Sequence, residues 1–401
     1  LRESAIKWKI TLTDESFAQK LLKTVELNAV INKAKFVELR VCEKISDFLK
    51  ENFVDDLTYF EKKNIMTIDI ISDPTLIIPE YIINIQNKSK KTIEVIEHFE
   101  KSNSRRFTPS SPKQQIVSTL FDLIGTSGLL RPAMHYRWNY LDENGEFLHY
   151  HFLHSQPEHS GREAKSQYMM SKMQHAGRLF GVTEESAALV ETVYLEFLDA
   201  LNKHFGEYPY LLGWTPCIGD FGLIAPLYAH LGRDPAPLRI MQQRAVRVTR
   251  WVERMNRADQ DALEFFNPGV SYLEDDRIPE TLETVLKVLA EDLVPETQAA
   301  AEVINQWLAE HQPESGTLAQ GSLGQSMYGM AQFSLRGQSI SAVAQSYRFV
   351  VLQKLQQQYA QLEPAQQQDV TSLLQRCGLE ALLATRLKRE LGWSENQDIW
   401  L

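Results

Sequence analysis

Residues 208–231 read YPYLLGWTPCIGDFGLIAPLYAHL, an apolar segment in which Asp220 is the single acidic residue. Asp220 stands three residues after Cys217. A carboxylate at that helical position accepts a hydrogen bond from the backbone N–H of the capping residue, and its charge complements the positive end of the helix. The segment therefore predicts a buried helix that begins directly after Cys217.

The same segment resembles the G-x-x-P-S/T-x-x-D-F signature of the C-terminal domain of the glutathione transferase family, with Cys217 in place of the usual Ser or Thr. Residues 108–115 resemble that family's interdomain linker and first bundle helix. Residues 129–138 resemble a segment of its bacterial-type members. The resemblance covers residues 105–260 and implies a thioredoxin-like N-terminal domain followed by a helical bundle.

The cations of the chain divide it near residue 105. Residues 1–101 carry 14 Lys and 2 Arg, whereas residues 102–401 carry 7 Lys and 19 Arg. Between the two blocks lies SNSRRFTPSSP at residues 102–112, a composition typical of a linker. We therefore expect three regions: a thioredoxin-like domain at 1–104, a helical domain of the glutathione transferase C-terminal type at 105–262, and a helical extension at 263–401.

Apolar periodicity assigns elements in the first block. It predicts strands at 6–12 and 35–41 and helices at 16–27 and 42–52. It then predicts strands at 75–78 and 81–85 and a helix at 92–99, while residues 54–71 fit the pattern poorly. The order βαβαββα is compatible with one α/β domain of about 100 residues.

Helical spacing dominates the second block. Apolar residues recur at intervals of three and four in three groups. The groups are Leu282, Val285, Leu286, Leu289 and Leu293; Ile340, Val343, Tyr347, Val350 and Val351; and Leu373, Leu374, Leu379, Leu382, Leu383 and Leu387. We expect each group to be the core-facing stripe of a helix.

Charge and composition narrow the classes of partner. The net charge of −10 disfavours a broad surface for polyanions, so nucleic acid is not an expected partner. No apolar run reaches the roughly 18 residues of a membrane helix, so a membrane is not an expected partner. Residues 1–4 do not resemble the start of a signal peptide, and we expect none there. Three widely spaced cysteines provide no disulfide framework, which favours the cytoplasm.

The family resemblance implies the candidate site residues. Ser16 matches the thiolate-stabilising hydroxyl, and Cys42, which opens a helix, is the second candidate for the catalytic residue. Pro74 matches the proline whose backbone pairs with the cysteinyl part of glutathione. Thr92 matches the hydroxyl that binds the γ-glutamyl carboxylate, although Lys91 replaces an expected acid and residues 86–87 offer a competing alignment. Arg137 is available for the glycine-end carboxylate.

Each of these residues also has a structural interpretation. Ser16 is a typical helix N-cap, Cys42 a typical small buried residue, and Pro74 an ordinary loop proline. Arg137, with Arg131, is equally suited to ion pairs. The histidines at 135, 149, 151, 154 and 159 favour packing over a metal site, since no strict metal-binding motif is present.

The resemblance implies a glutathione transferase that joins glutathione thiolate to a small hydrophobic electrophile, or reduces a substrate with it. The co-substrate pocket is expected around Met134 to Trp138 and Tyr168 to Met173. Family members usually form homodimers. The alternative is a non-catalytic interaction protein of the same architecture, because fold alone does not determine function.

Overall fold

The computed structural model describes residues 13–76, 78, 80–98, 107–257, 262–266, 269, 271–321, 324–394 and 397–401. Of these, residues 13–98 form one compact unit and residues 107–401 a second. The predicted strand at 6–12 lies outside the described residues. None of the described helices is both long enough and apolar enough to cross a membrane.

The N-terminal unit combines three helices with a four-stranded mixed sheet. Its elements are α1 (Asp14–Ile31), β1 (Phe36–Val41), α2 (Glu43–Asn52), α3 (Val54–Asn64), β2 (Thr67–Ser72), β3 (Tyr81–Gln86) and β4 (Thr92–His98). The strand order is β2-β1-β3-β4; β1 and β2 are parallel, and β3 is antiparallel to both β1 and β4.

One face of this sheet carries the core of the N-terminal unit. Alternate residues of the strands, such as Val37, Leu39 and Ile83, are fully buried against the apolar faces of α1 and α2. The period of two in burial follows from the alternation of side chains along a strand. The unit is therefore a layer of helices on a sheet.

Several sequence predictions for this unit are confirmed. Helices at 16–27 and 42–52 correspond to α1 and α2, and strands at 35–41 and 81–85 correspond to β1 and β3. The poorly fitting segment 54–71 contains α3 and most of β2. Its apolar residues are few in α3, where none is fully buried, so the helical period is weak there.

Two predictions for this unit are wrong. Residues 75, 76 and 78 lie outside any strand, since β2 ends at Ser72. Residues 92–98 form strand β4 rather than a helix. The residues after Thr92 are rich in Ile and Val, a composition that favours a strand once β3 supplies a hydrogen-bonding neighbour.

The C-terminal unit is mostly helical. Its α-helices are α4 (Pro112–Leu123), α5 (Leu130–Asn139), α6 (Leu141–His154), α7 (Arg162–Ala176), α8 (Glu184–His204), α9 (Ile218–Pro226), α10 (Pro235–Arg244), α11 (Val246–Met255), α12 (Glu280–His311), α13 (Tyr347–Ala360) and α14 (Pro364–Arg376). Short π-helical segments extend α4 and α9, and single 3₁₀ turns occur at Gly177–Phe180 and Glu380–Leu383.

Three strand pairs interrupt the predicted helical extension. They are β5 (Gln320–Gly321) with β6 (Gly324–Gln325), β7 (Met327–Leu335) with β8 (Gln338–Gln345), and β9 (Leu391–Ser394) with β10 (Gln397–Trp400). Ile340 and Val343, which were assigned to a helical stripe, therefore lie in β8. Arg336 and Gly337 both have positive φ, as a two-residue hairpin turn requires.

The core of the C-terminal unit is continuous across the predicted boundary at residue 262. Leu282, Leu286 and Leu293 of α12 are buried in the same cluster as Phe121, Leu198 and Trp251 of the bundle. Leu373 and Leu374 of α14 belong to it as well. The stripe predicted at 282–293 is thus confirmed as core-facing. The prediction of one helix over 373–387 is wrong, because α14 ends at Arg376, although Leu379 and Leu382 beyond it are buried in the same cluster. The extension shares one core with the bundle.

Candidate functional site

The carboxyl ends of β1 and β2 bring Cys42 and Pro74 to one edge of the N-terminal sheet. Cys42 follows the last residue of β1, and Asp73 and Pro74 follow the last residue of β2. Because Val41 and Ser72 are partners in the parallel ladder, the two segments leave the sheet side by side. The backbone N–H of Asp73 donates to the Val41 carbonyl at 2.8 Å. Ligands of α/β proteins bind at such strand ends.

The N-termini of two helices also lie at this edge. Helix α2 begins after Cys42, and the first turn of α1 reaches the same place, since Lys44 Nζ of α2 pairs with Asp14 Oδ2 of α1 at 2.8 Å. The ring of Phe17 in α1 lies 6.4 Å from that of Tyr81 at the start of β3. Helix N-termini present backbone N–H groups and a partial positive charge, which stabilise anions.

Cys42 is the N-cap residue of α2. Its backbone is extended, with φ of −61° and ψ of 156°, and its thiol makes no capping hydrogen bond within the described chain. The thiol is half-buried. One turn further along α2, the buried hydroxyl of Ser46 has no hydrogen-bond partner among the described residues. Side chains four residues apart share a helix face, so Ser46 lies on the Cys42 side of α2.

Ser16 lies at the same edge but is engaged in the start of α1. Thr13 is the N-cap of this helix, and its Oγ1 accepts from the Ser16 backbone N–H at 3.2 Å. The Thr13 hydroxyl in turn donates to Ser16 Oγ at 2.9 Å. The interpretation of Ser16 as the N-cap is therefore wrong, because the N-cap is Thr13, three residues earlier. The Ser16 side chain is exposed in the first turn of α1.

The segment after β2 is a turn held by Asp73. Its Oδ1 accepts hydrogen bonds from the Thr75 backbone N–H at 2.9 Å and from the Thr75 hydroxyl at 2.6 Å. These two bonds lower the pKa of Asp73. Pro74 sits inside this turn, which fixes its position beside the start of α2.

Thr92 does not join the other site residues. It begins β4, opposite Gln86 at the end of β3, and β3 runs antiparallel to β1. Thr92 therefore lies at the edge where β1 begins, roughly 20 Å along the strands from Cys42. Pro74 and Thr92 were expected to hold one glutathione together. The structure does not bring them together, because residues 92–98 form a strand that starts at the opposite edge of the sheet.

Arg137 is held by an internal ion pair of the C-terminal unit. Its guanidinium donates to both carboxylate oxygens of Asp234, at 2.6 and 2.7 Å, and Asp234 is fully buried. A bidentate pair of this kind occupies the donors that a carboxylate ligand requires. The contacts of Arg137 therefore match the interpretation as an ion-pair residue and not as a ligand for glutathione.

The expected co-substrate pocket is not assembled from the two predicted segments. Met134 and Trp138 are buried in the core, whereas Tyr168 and Met173 are exposed on α7. A cavity of about 20 Å³ lies beside Arg131 and is lined by residues of α5, α8 and α12. This volume is enough for about one water molecule.

A buried charge network lies beside that cavity, and of its members the sequence indicated only Arg131 as an ion-pair residue. Arg131 pairs with Asp292 and, at 3.0 Å, with Glu296, while Arg348 pairs with Glu296 at 2.5 Å. Burial raises the pKa of Asp292 to about 6. Asp292 and Glu296 are four residues apart on α12, which is a helical spacing, but nothing in the sequence identified their partners.

The histidines of the second block are engaged individually. His149 lies 2.7 Å from Glu163, and His151 contacts the Arg233 guanidinium at 3.2 Å. Within the described ranges no three His, Cys, Asp or Glu side chains are grouped so as to hold a metal ion.

Comparison of the chain with protein-family models, curated proteins and solved structures finds no match.

Proposed function

We propose that this protein is a glutathione-dependent enzyme of the glutathione transferase type, in which Cys42 rather than Ser16 supplies the reactive group. The observation that carries the proposal is the position of Cys42, directly after β1 and at the N-terminus of α2. The first turn of α1 and Pro74 lie at the same sheet edge. A helix N-terminus presents backbone N–H donors near the side chain of the capping residue.

The sheet supports a thioredoxin-like interpretation of this unit. Its order is β2-β1-β3-β4, β3 is antiparallel, and the helix after β1 starts at the candidate cysteine. The strand that the family places before this unit's first described helix falls at 6–12, outside the described residues. Among the described strands of this sheet, β1 is the one that leads directly into a helix. β1 therefore delivers the reactive residue, and Cys42 takes the place of Ser16.

A cysteine in this place directs the chemistry towards reduction of a disulfide. The Cys42 thiolate attacks the glutathionyl sulfur of a mixed disulfide, R–S–S–G, and the R–S⁻ group leaves and takes a proton from water. A second glutathione thiolate then attacks the glutathionyl sulfur on Cys42. Oxidised glutathione leaves, and the Cys42 thiolate is restored. The net reaction converts R–S–S–G and glutathione into R–SH and oxidised glutathione.

Glutathione binding by calorimetry on the full chain tests the first step. We expect saturable binding in the micromolar-to-millimolar range that persists in Ser16→Ala and is lost in Pro74→Ala, provided that each variant keeps the circular dichroism of the wild type. A folded wild type that does not bind glutathione contradicts the proposal.

The second candidate is a non-catalytic interaction protein of the same architecture. It is favoured by the placement of Thr92 at the far sheet edge and by the engagement of Arg137 with Asp234. Both residues were expected to hold glutathione. Under this alternative we again propose a reducing compartment such as the cytoplasm, in keeping with three free cysteines. Light scattering measures whether the chain forms a homodimer.

A further inference from the structure

The edge of the N-terminal sheet opposite Cys42 is rich in lysine. Two loops and the last turn of α3 contribute six exposed lysines. These residues, named the lysine edge, are Lys33 in the α1–β1 loop, Lys62 and Lys63 at the end of α3, and Lys88, Lys90 and Lys91 around the β3–β4 turn.

Strand topology explains why the three segments meet. β1 and β2 are parallel, so the segments that enter them lie at the same edge. β3 runs the other way, so its turn into β4 returns to that edge. Two contacts join the α1 and α3 sides of this edge. Lys63 of α3 pairs with Glu26 of α1 at 2.8 Å, and Lys35 Nζ, in the α1–β1 loop, donates to the Ile65 carbonyl at 3.2 Å.

Aliphatic side chains protrude at the same edge. Ile65, the residue after α3, is 76% exposed, and Ile31, the last residue of α1, is 66% exposed. Leu27 and Val30 are exposed too, and with Ile31 they follow an i, i+3, i+4 spacing that places them on one face of α1. The opposite face of α1 packs in the core. Helix α1 therefore ends in an apolar stripe that faces water.

Backbone strain marks this edge as well. Ile65 adopts φ of 50° and ψ of 54°, a left-handed conformation that is rare for a β-branched residue. Lys33 and Lys90, in the two loops, also have positive φ. Asn or Gly would adopt this backbone conformation with less strain. The residues that occupy these positions are instead an exposed Ile and two exposed Lys.

The lysine edge keeps a net positive charge. Of the acids near it, Glu26 pairs with Lys63, Glu61 accepts from the Ile68 backbone N–H at 2.8 Å, and Glu94 accepts from Asn32. The other five lysines form no ion pair with a described residue. Six cations against three acids make this edge basic, although the whole chain carries −10.

We infer that the lysine edge binds the surface of a negatively charged lipid bilayer, with Ile65, Ile31 and Leu27 inserted among the headgroups. Clusters of four to eight lysines are attracted to anionic lipids, and exposed aliphatic side chains beside them gain by leaving water. This surface is independent of the proposed chemistry at Cys42, which lies at the other end of the strands.

Two other occupants fit less well. A second copy of the chain would bring two sets of lysines together, and like charges repel. Single-stranded nucleic acid requires exposed aromatic faces for stacking, whereas the protruding residues here are aliphatic. The nearby rings of Phe36 and Tyr59 already lie under the ammonium groups of Lys90, at 5.2 Å, and of Lys63, at 5.6 Å.

Vesicle co-sedimentation with the full chain tests the inference. We expect the protein to sediment with vesicles of phosphatidylcholine and phosphatidylserine at low ionic strength, and to stay in solution with phosphatidylcholine alone. High salt should weaken the binding, because exposed charges are screened. A labelled single-stranded oligonucleotide serves as the competing probe under the same conditions.

Two variants separate charge from insertion. Lys88→Ala/Lys90→Ala/Lys91→Ala should weaken vesicle binding about a hundredfold, at about fivefold for each lysine. Ile65→Asn should weaken it about tenfold while making the chain more heat-stable, since Asn suits the left-handed backbone. The matched control is Lys165→Ala/Lys172→Ala/Lys203→Ala, which removes the same charge from exposed positions of the C-terminal unit and should leave binding unchanged.

Three outcomes overturn the inference: equal binding to neutral vesicles, equal loss of binding in the control triple variant, or tighter binding of the oligonucleotide than of the anionic vesicles. Since Ile65→Asn removes strain, its loss of binding is not attributable to misfolding.

Discussion

Trp251 of α11 donates an indole hydrogen bond of 3.0 Å to Oδ1 of Asp220, the third residue of α9. Asp220 also accepts from the backbone N–H groups of Cys217, at 2.9 Å, and Leu211, at 3.1 Å. One fully buried carboxylate thus caps α9, fixes the loop before it and ties it to α11. The sequence predicted the capping bond, whereas the other two contacts are tertiary.

Replacement of Asp220 should destabilise the C-terminal unit strongly. In Asp220→Ala three buried donors lose their acceptor, at roughly 1 kcal/mol or more each, so we expect a loss of about 3 kcal/mol or more in the free energy of unfolding. Six of the seven tryptophans lie in this unit, so fluorescence-monitored urea unfolding reports on it. Trp251→Phe removes only the indole donor and its hydrogen bond to Asp220, so it should lower the free energy of unfolding by less. An equal loss in both variants would argue against the hydrogen-bond network around Asp220.

The buried arginine network should contribute more to the free energy of unfolding than the exposed one. Arg131→Met leaves Asp292 and Glu296 buried without this partner and should cost about 3–5 kcal/mol. Arg336→Met breaks pairs with Glu196 and Glu291, which are more than 40% exposed, and should cost less than about 1 kcal/mol. Urea unfolding of the two variants measures both losses. Similar losses in the free energy of unfolding would contradict this prediction.

Asp122 should make stability depend on pH. Burial raises its pKa to about 6, and its Oδ1 has no hydrogen-bond partner among the described residues. The folded chain therefore keeps a proton that the unfolded chain releases. The resulting stabilisation is complete below about pH 3.8 and is lost as the pH rises through 6.

In Asp122→Asn this pH dependence should disappear. Between pH 4 and pH 7 the variant should gain roughly 2–3 kcal/mol in free energy of unfolding relative to the wild type. Asp369→Asn, which removes an exposed carboxylate of the same unit, serves as the matched control variant. A difference between Asp122→Asn and the wild type that stays constant from pH 4 to pH 7 would show that the Asp122 carboxyl does not hold the proton.

The three cysteines should differ in reactivity. Cys217 and Cys377 are buried, and burial raises the pKa of the Cys377 thiol to about 11. Cys42 is half-buried at a helix start. We expect Ellman's reagent to modify one thiol per native chain and three after denaturation, and Cys42→Ser to abolish the native reaction. Rapid modification of two or more native thiols would be inconsistent with this burial.

Local patterns predicted those elements whose apolar period and end signals agree. Asp220 after Cys217 marks the start of α9, and the alternation at 36–41 marks β1. Segment 92–98 and the residues around Ile340 were misassigned because a few Ile and Val residues satisfy both periods. In each case the neighbouring strand, β3 or β7, decides the conformation through its hydrogen bonds.

The candidate site was predictable only in part. Cys42 at a strand–helix junction and Pro74 are visible in the sequence, and the parallel pairing of β1 and β2 brings them together. The placement of Thr92 depends on whether its segment is a helix or a strand, so the wrong assignment moved it to the wrong edge. Asp234, the partner of Arg137, is 97 residues away, a distance at which spacing carries no information.

The most direct test of the account is glutathione-dependent reduction of the mixed disulfide of glutathione and 2-mercaptoethanol. Oxidised glutathione is followed over time for the wild type, Cys42→Ser and Ser16→Ala. The account predicts turnover by the wild type and by Ser16→Ala, and only the uncatalysed rate for a folded Cys42→Ser. Undiminished turnover by Cys42→Ser, or a folded wild type no faster than buffer, would contradict it.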